Sequence, residues 1–373
     1  MLNRIKNKEP LFHIAKRAEI SIWQTILIRV VAIAIGLLSA GLICLIAFGV
    51  SPFKVYYELI NGTFLLDGVF LTLLKDTLFL LGVSIALIPA FKMKFWNLGG
   101  NGQILMGAFA TIVCMRTFAG NIPDPILWIL MFASATLTGL IWAVIPAIFK
   151  AYFNTNETLF TLMMNYIATN LVAYFVSQWE NYKSETSTSI TIGNLPVIGG
   201  NTYILPIIIF AILTIIMYFY MHHSKHGYEI SIVGESQNTA KYAGISVKKV
   251  IIRTIALSGA ICGIVGLLFV STDLYTINAT YCARNLGFTA IIAVWIAKNH
   301  PLIAILSTFG IVFLTQGMGQ AQTILGTNDA SIPTLIVGLM FFFVIGCEFF
   351  ANYVIKRTNS SNIENNTKER NQW

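Results

Sequence analysis

Two short stretches carry most of the polar chemistry in a chain that is otherwise dominated by apolar residues. The first is Trp96-Asn97-Leu98-Gly99-Gly100-Asn101-Gly102-Gln103, with three glycines and the three amides Asn97, Asn101 and Gln103. The second is Asn156-Glu157-Thr158, followed by Leu162-Met163-Met164-Asn165-Tyr166. In an apolar solvent an amide needs partners inside the protein, and glycine lets backbones close up or a helix break. Two readings of the first stretch stand side by side: the lining of a solute pathway, or tight packing with local amide–backbone bonds. Asn156 suits a helix cap, with Glu157 in the first turn offsetting the macrodipole. Asn165 lies well inside the following helix, where an unpaired amide costs several kcal/mol. The pathway candidates are therefore Asn97, Asn101, Gln103 and Asn165.

Other chemistries lack their residues. There is no G-x-x-x-x-G-K-[ST] loop to cradle ATP, no H-E-x-x-H, no Cys/His cluster with metal-ligand spacing and no G-x-S-x-G nucleophile. Neither catalytic nor metal-binding residues are expected. Cys44, Cys114, Cys262 and Cys347 fall in apolar runs and read as small hydrophobes, while Cys282 sits in a polar stretch with no nearby partner. An ion-coupled carrier needs ionisable groups deep in its helices. The candidates Lys75, Asp76, Glu157 and Glu348 all lie within reach of an interface by snorkelling, which weakens that reading.

The elements that must position these residues are membrane helices. Hydrophobic residues make up 56% of the 373 and charged residues 11%, with a mean hydropathy of +0.73. A soluble domain carries roughly a quarter charged residues, so this chain cannot cover a water-facing surface. At about 20 residues per crossing, the apolar runs are 26–50, 69–91, 98–118, 125–149, 157–177, 202–221, 250–271, 286–297, 301–323 and 332–355. The eighth is too short to cross alone and reads as a re-entrant or half-length helix. The fold class is thus an all-α integral membrane protein of about ten transmembrane or re-entrant helices.

The net charge of +8 does not point to nucleic acid, because the cations punctuate the gaps between apolar runs. With the N-terminus inside, 19 of the 24 Lys and Arg fall on inner gaps, and the positive-inside rule then puts both termini in the cytoplasm. Residues 1–25 read as a cytoplasmic or interfacial segment, with 11–25 as an amphipathic helix on the inner leaflet. Residues 26–355 form the membrane domain and 356–373 a cytoplasmic tail. The gap 178–201 is Ser/Thr/Gly-rich and reads as external, and 222–249 is hydrophilic, basic and cytoplasmic. Within it, Ser236–Ala243 predicts a short helix stopped by Gly244.

Three stretches together resemble one transporter family. Asn97–Gly107 is similar to F-N-I-G-G-E-G-Q-L-x-M-G, and Asn156–Ile167 to N-E-V-x-x-T-L-M-L-N-Y-I. Gly227–Ile245 is similar to G-x-E-I-R-A-V-G-E-N-x-x-A-A-x-Y-A-G-I. These patterns belong to the permeases of the branched-chain amino acid and simple-sugar import family of ABC transporters, and the likeness is to their nucleoside and simple-sugar branch. It runs from about residue 70 to 350. Two departures stand out: Asn101 replaces the family's Glu, and Thr289-Ala290 replace Asp-Gly in G-F-D-G-I-A-V-A.

The resemblance implies a subunit of the bacterial plasma membrane that moves a small polar solute by alternating access and is not itself an enzyme. Nucleosides come first, with simple sugars or riboflavin-type compounds as alternatives; a secondary carrier or a membrane scaffold is the rival class. The implied partners are an ABC ATPase that binds the ATP, a second permease subunit and an extracytoplasmic solute-binding lipoprotein, with no cofactor of the chain's own. The ATPase would dock on 222–249 through Tyr228, Glu229, Gly234, Glu235, Asn238, Tyr242 and Gly244.

Overall fold

A computed structural model describes residues 12–16, 21–65, 68–180, 186–190, 192–279, 285–322 and 331–357. Lys183, Cys282, Arg284, the residues before 12, Arg17 and the tail from 358 lie outside the described residues, as does the side chain of Glu348.

Helices follow the apolar runs. They are α1 (Ile22–Phe48), α2 (Pro52–Phe64), α3 (Val69–Lys92), α4 (Gly100–Phe118), α5 (Asp124–Phe153), α6 (Glu157–Trp179) and α7 (Ile204–His223). After these come α8 (Lys225–Glu235), α9 (Gln237–Tyr242), α10 (Val247–Phe269), α11 (Leu286–Ile296), α12 (Pro301–Ala321) and α13 (Ser331–Asn352). A helix covers most of each of the ten expected segments, but the last, 332–355, is helical only to Asn352 and passes into a strand at Tyr353. Among the described residues, seven are long and apolar enough to cross a bilayer: α1, α3, α5, α6, α7, α10 and α12. With 11 residues, α11 spans about 16 Å at 1.5 Å per residue, roughly half a hydrocarbon layer.

Two expectations are corrected. Residues 11–25 do not form one amphipathic helix. Phe12–Lys16 is a strand (β1), antiparallel to Tyr353–Arg357 (β2), with Phe12 opposite Arg357 and Lys16 opposite Tyr353. Five residues, Phe12-His13-Ile14-Ala15-Lys16, are too few to tell a two-residue period from a helical one. The apolar pattern also does not predict α2, because Lys54, Glu58 and Asn61 interrupt it. Its start at Pro52 follows from proline's fit to the first helical position.

The chain divides into two compact units, residues 1–58 with 321–373, and residues 59–320. In the first, α1 packs against α13 and many large apolar side chains of α1, such as Leu38 and Ile46, face outward, as suits a lipid solvent. In the second, α3 and α10 form the core. Burial reaches 67% and 78% of their apolar windows against 22% for α5, so α5 is a lipid-facing wall.

The α10 helix packs on α3, α4 and α5 through small residues. A methyl group added at Gly263 would lie 2.2 Å from the Ala135 carbonyl oxygen of α5, and one at Gly266 2.1 Å from that of Ile104 in α4. Lipid removes the hydrophobic drive between helices, so such close backbone approach is what holds them. Beyond Phe269 the helix loosens into one π-helical turn, Val270–Leu274. That turn carries Asp273 to α3, where the Lys75 ammonium meets its carboxylate at 2.7 Å.

Candidate functional site

The first four N–H groups of any helix lack intrahelical acceptors, and at the start of α4 the amides supply them. Asn97 is fully buried. Its Oδ1 accepts from the Gly99 N–H at 3.0 Å and from Gln103 Nε2 at 3.2 Å, and its Nδ2 donates to Ser258 Oγ of α10 at 3.3 Å. Asn97 and Gln103 thus close on one another and on α10. Asn165 of α6 clamps the same turn from the other side. Its Oδ1 accepts from the Gly102 N–H and its Nδ2 donates to the Leu98 carbonyl, both at 2.8 Å. Thr161, one turn earlier on α6, accepts from the Leu98 N–H at 3.1 Å.

The relay continues into α11. Asn101 Oδ1 accepts from the Gly287 N–H at 2.7 Å, so α4 caps the start of the half-length helix. The two helix starts lie in backbone contact: a methyl added at Gly287 would sit 2.7 Å from the Asn101 nitrogen. Beside this junction is a cavity of about 280 Å³ lined by Asn101, Asn165, Tyr166, Thr169, Asn285, Phe288 and three aliphatic side chains. Two N-termini give it a positive potential, and the amide, hydroxyl and aromatic groups make it a place for an electronegative, ring-bearing polar solute.

Of the four expected pathway residues, Asn101 and Asn165 line this cavity and Asn97 and Gln103 stand behind it. Glu157 is paired with Lys150 at 2.9 Å while Asn156 caps α6, accepting from the Thr158 and Leu159 N–H groups. Cys44, Cys114, Cys262 and Cys347 are buried free thiols. Asp273 and Gln316 were not expected. Asp273 lies three residues beyond Val270, the last apolar residue of its run, and Gln316 is one of two amides, with Gln320, in the otherwise apolar α12.

The stretch 222–249 folds as two short helices. Ser224 caps α8, accepting from the Gly227 N–H at 3.0 Å, and Ser236 caps α9, accepting from the Thr239 N–H at 3.2 Å. Gly244, at φ 76°, ends the second. Tyr228, Glu235, Asn238 and Gly244 are exposed, and Tyr242 is 94% exposed. Glu229 and Gly234 point inward. Glu229 pairs with Arg253 of α10 at 2.9 Å. Gly234 abuts the end of α3 so closely that a methyl there would lie 2.1 Å from the Lys92 carbonyl oxygen.

A sequence model of the family described as branched-chain amino acid transport system / permease component matches residues 69–345. The guanosine ABC transporter permease protein NupP of Bacillus subtilis is 33% identical over 249 residues, 65% of this chain and 70% of that one. The glucose ABC transporter permease protein TsgB13 of Haloferax volcanii is 26% identical, over 85% of this chain and 86% of its own. The nucleoside ABC transporter permease protein NupB of Lactococcus lactis is 25% identical, over 93% and 98%. No solved structure matches the chain.

Proposed function

The chain belongs to the permease family of branched-chain amino acid transport systems, and on that premise we propose that it imports nucleosides as the membrane subunit of an ATP-binding-cassette transporter. An ABC permease is a multi-pass transport subunit and not an enzyme, which agrees with the absence of nucleotide-binding and nucleophile motifs from the sequence. The observation that carries the solute reading is the cavity at the α4–α11 junction. Its polar groups are amides, hydroxyls and helix N-termini, and its apolar ones include an aromatic ring. A neutral heterocycle bearing hydroxyls matches that lining. Two of the three relatives above, NupP and NupB, are named for nucleosides.

Work comes from a partner ATPase that docks on the exposed face of α8 and α9 on the cytoplasmic side of the bacterial plasma membrane. ATP binding to the partner shifts the permease between two conformations only by as much as its affinity differs between them. A second permease subunit completes the pathway, and an extracytoplasmic lipoprotein delivers the solute. Purified permease reconstituted with those partners should take up guanosine only with ATP. Uptake by the permease alone, driven by an ion gradient, would replace this reading with a secondary carrier. ATP-driven uptake of glucose or riboflavin but not nucleosides would keep the importer and change its solute.

A further inference from the structure

A second cavity, of about 220 Å³, lies on the other side of the first turn of α11. Asn285 and Phe288 of that turn line the first cavity, and Leu286 and Thr289 line the second. Its apolar lining includes Phe79 of α3 and Phe269 of α10, stacked at a centroid distance of 4.1 Å. Its polar lining is Asp76 of α3, one turn from Phe79, with Thr289, and Thr315 and Gln316 of α12. The Gln316 amide donates to the Asp76 carboxylate.

We propose that this cavity is a solute subsite in which Asp76 and Gln316 read a pair of adjacent hydrogen-bond donors on one ring of the transported molecule. The proposal rests on the reading of the chain as a solute permease. Asp76 stands two turns inside α3, close enough to an interface to stay ionised and near enough to the cavity to line it. Lys75, next to Asp76 in the sequence, is bound to Asp273 at 2.7 Å.

A carboxylate is an acceptor with about four lone-pair directions and takes two parallel donors side by side. The amide of Gln316 offers both a donor and an acceptor to the same edge. The phenyl rings of Phe79 and Phe269, in the same lining, supply an apolar face for a flat ring. At about 220 Å³ the cavity takes one ring of a nucleoside rather than the whole. Two parts of a nucleoside present adjacent donors: the vicinal hydroxyls of the ribose, and the ring N–H with the exocyclic amine of guanine. The family pattern puts an aspartate at 289, where this chain has threonine. Here the acid in this cavity comes from α3 instead.

The test measures uptake kinetics of the assembled importer in proteoliposomes for guanosine, 2′,3′-dideoxyguanosine and inosine, with native permease and with Asp76→Asn. The first analogue lacks the diol and the second the exocyclic amine. Asp76→Asn keeps the shape and a hydrogen bond to Gln316 but loses the charge. It should raise KM for guanosine roughly tenfold, as for one charge-assisted hydrogen bond. The analogue lacking the donors that meet Asp76 should then show no further rise, so native discrimination against that analogue collapses and names the part of the solute that is read. Discrimination by the binding lipoprotein is common to both permeases and cancels.

An unchanged KM, or an equal slowing of all three solutes with discrimination intact, would overturn the subsite while leaving the nucleoside importer in place. Asp76→Glu, which keeps the charge, should recover part of the guanosine KM; failure to do so with protein of native melting temperature also counts against it. If the importer moves glucose and not guanosine, the nucleoside reading falls and the subsite is judged on glucose and its deoxy analogues by the same comparison. An assembly that moves none of these solutes overturns both.

Discussion

Asn165 uses both ends of its amide on the start of α4, and that pair of hydrogen bonds sets its expected mutational signature. Asn165→Leu leaves the Gly102 N–H and the Leu98 carbonyl without partners in a buried turn. At about 1–3 kcal/mol for each unsatisfied group, the variant should lose roughly 2–6 kcal/mol and melt well below native protein in detergent. Asn165→Asp keeps the acceptor for Gly102 and loses the donor, so it should fall between the two. Asn101 differs, because it both caps Gly287 and faces the first cavity. Asn101→Ala should raise KM for the solute severalfold at a smaller stability loss, measured by uptake and by melting side by side. The sequence made all four amides visible as groups that lipid could not accommodate. It could not sort them, since Asn97 and Gln103 are turned toward each other by the loop of residues 93–99, a tertiary event with no local signature. Asp273 was illegible for the same reason: only the π-helical turn brings it under Lys75.

At the scale of elements, α10 joins the rest of its unit through glycine contacts, and the margin there is small. Gly263→Val would force branched atoms into the Ala135 carbonyl, and separating α10 from α5 by even an ångström forfeits contacts along the whole seam. Size-exclusion chromatography of that variant should show aggregated or absent protein, where a substitution at lipid-facing Ile129 or Ile141 of α5 shows the native peak. The ends of α7 and α12 carry a pH response. His300, just before α12, has its pKa lowered by burial, then by His222, whose ring centroid lies 5.0 Å away, and by Lys92. The folded state therefore favours the neutral ring. As pH falls below about 6.5, the ordinary histidine value, the unfolded chain takes up the proton more readily and stability declines. Melting temperature should drop between pH 7.5 and 5.5, and His300→Gln should flatten that drop. Long apolar helices were legible because length and hydropathy suffice to define them. The half-length of α11 was legible as a shortfall in apolar residues. The helix α2 and the β1–β2 pair were not, because their patterns are short and fit two periods.

Across the 59–320 unit, one helix connects the outward face of α8 and α9 to the second cavity. The inward side of α8 rests on the C-terminal end of α3 through Gly234 and the Lys92 carbonyl, and about four turns back along α3 stands Asp76. Movement of α8 by a docked ATPase would displace α3 as a rod, since a packed helix moves whole rather than bending at each residue. This arrangement sorts into two kinds the residues that the sequence resemblance assigns to ATPase docking. Tyr242, at 94% exposure, contributes nothing to the interior, so Tyr242→Ala should melt as native protein does and bind solute unchanged. Its defect should appear only with the partner present, as a fall of about tenfold or more in solute-stimulated ATP hydrolysis, within the range for a tyrosine at the centre of an interface. Gly234→Val should instead lower the melting temperature of the permease alone, because the contact it breaks is internal. If both variants lose ATPase association with melting temperatures intact, α8 is a docking surface throughout and α3 is no lever. If Tyr242→Ala leaves ATP hydrolysis unchanged, the partner grips elsewhere on this face, and Tyr228 and Asn238 become the positions to probe.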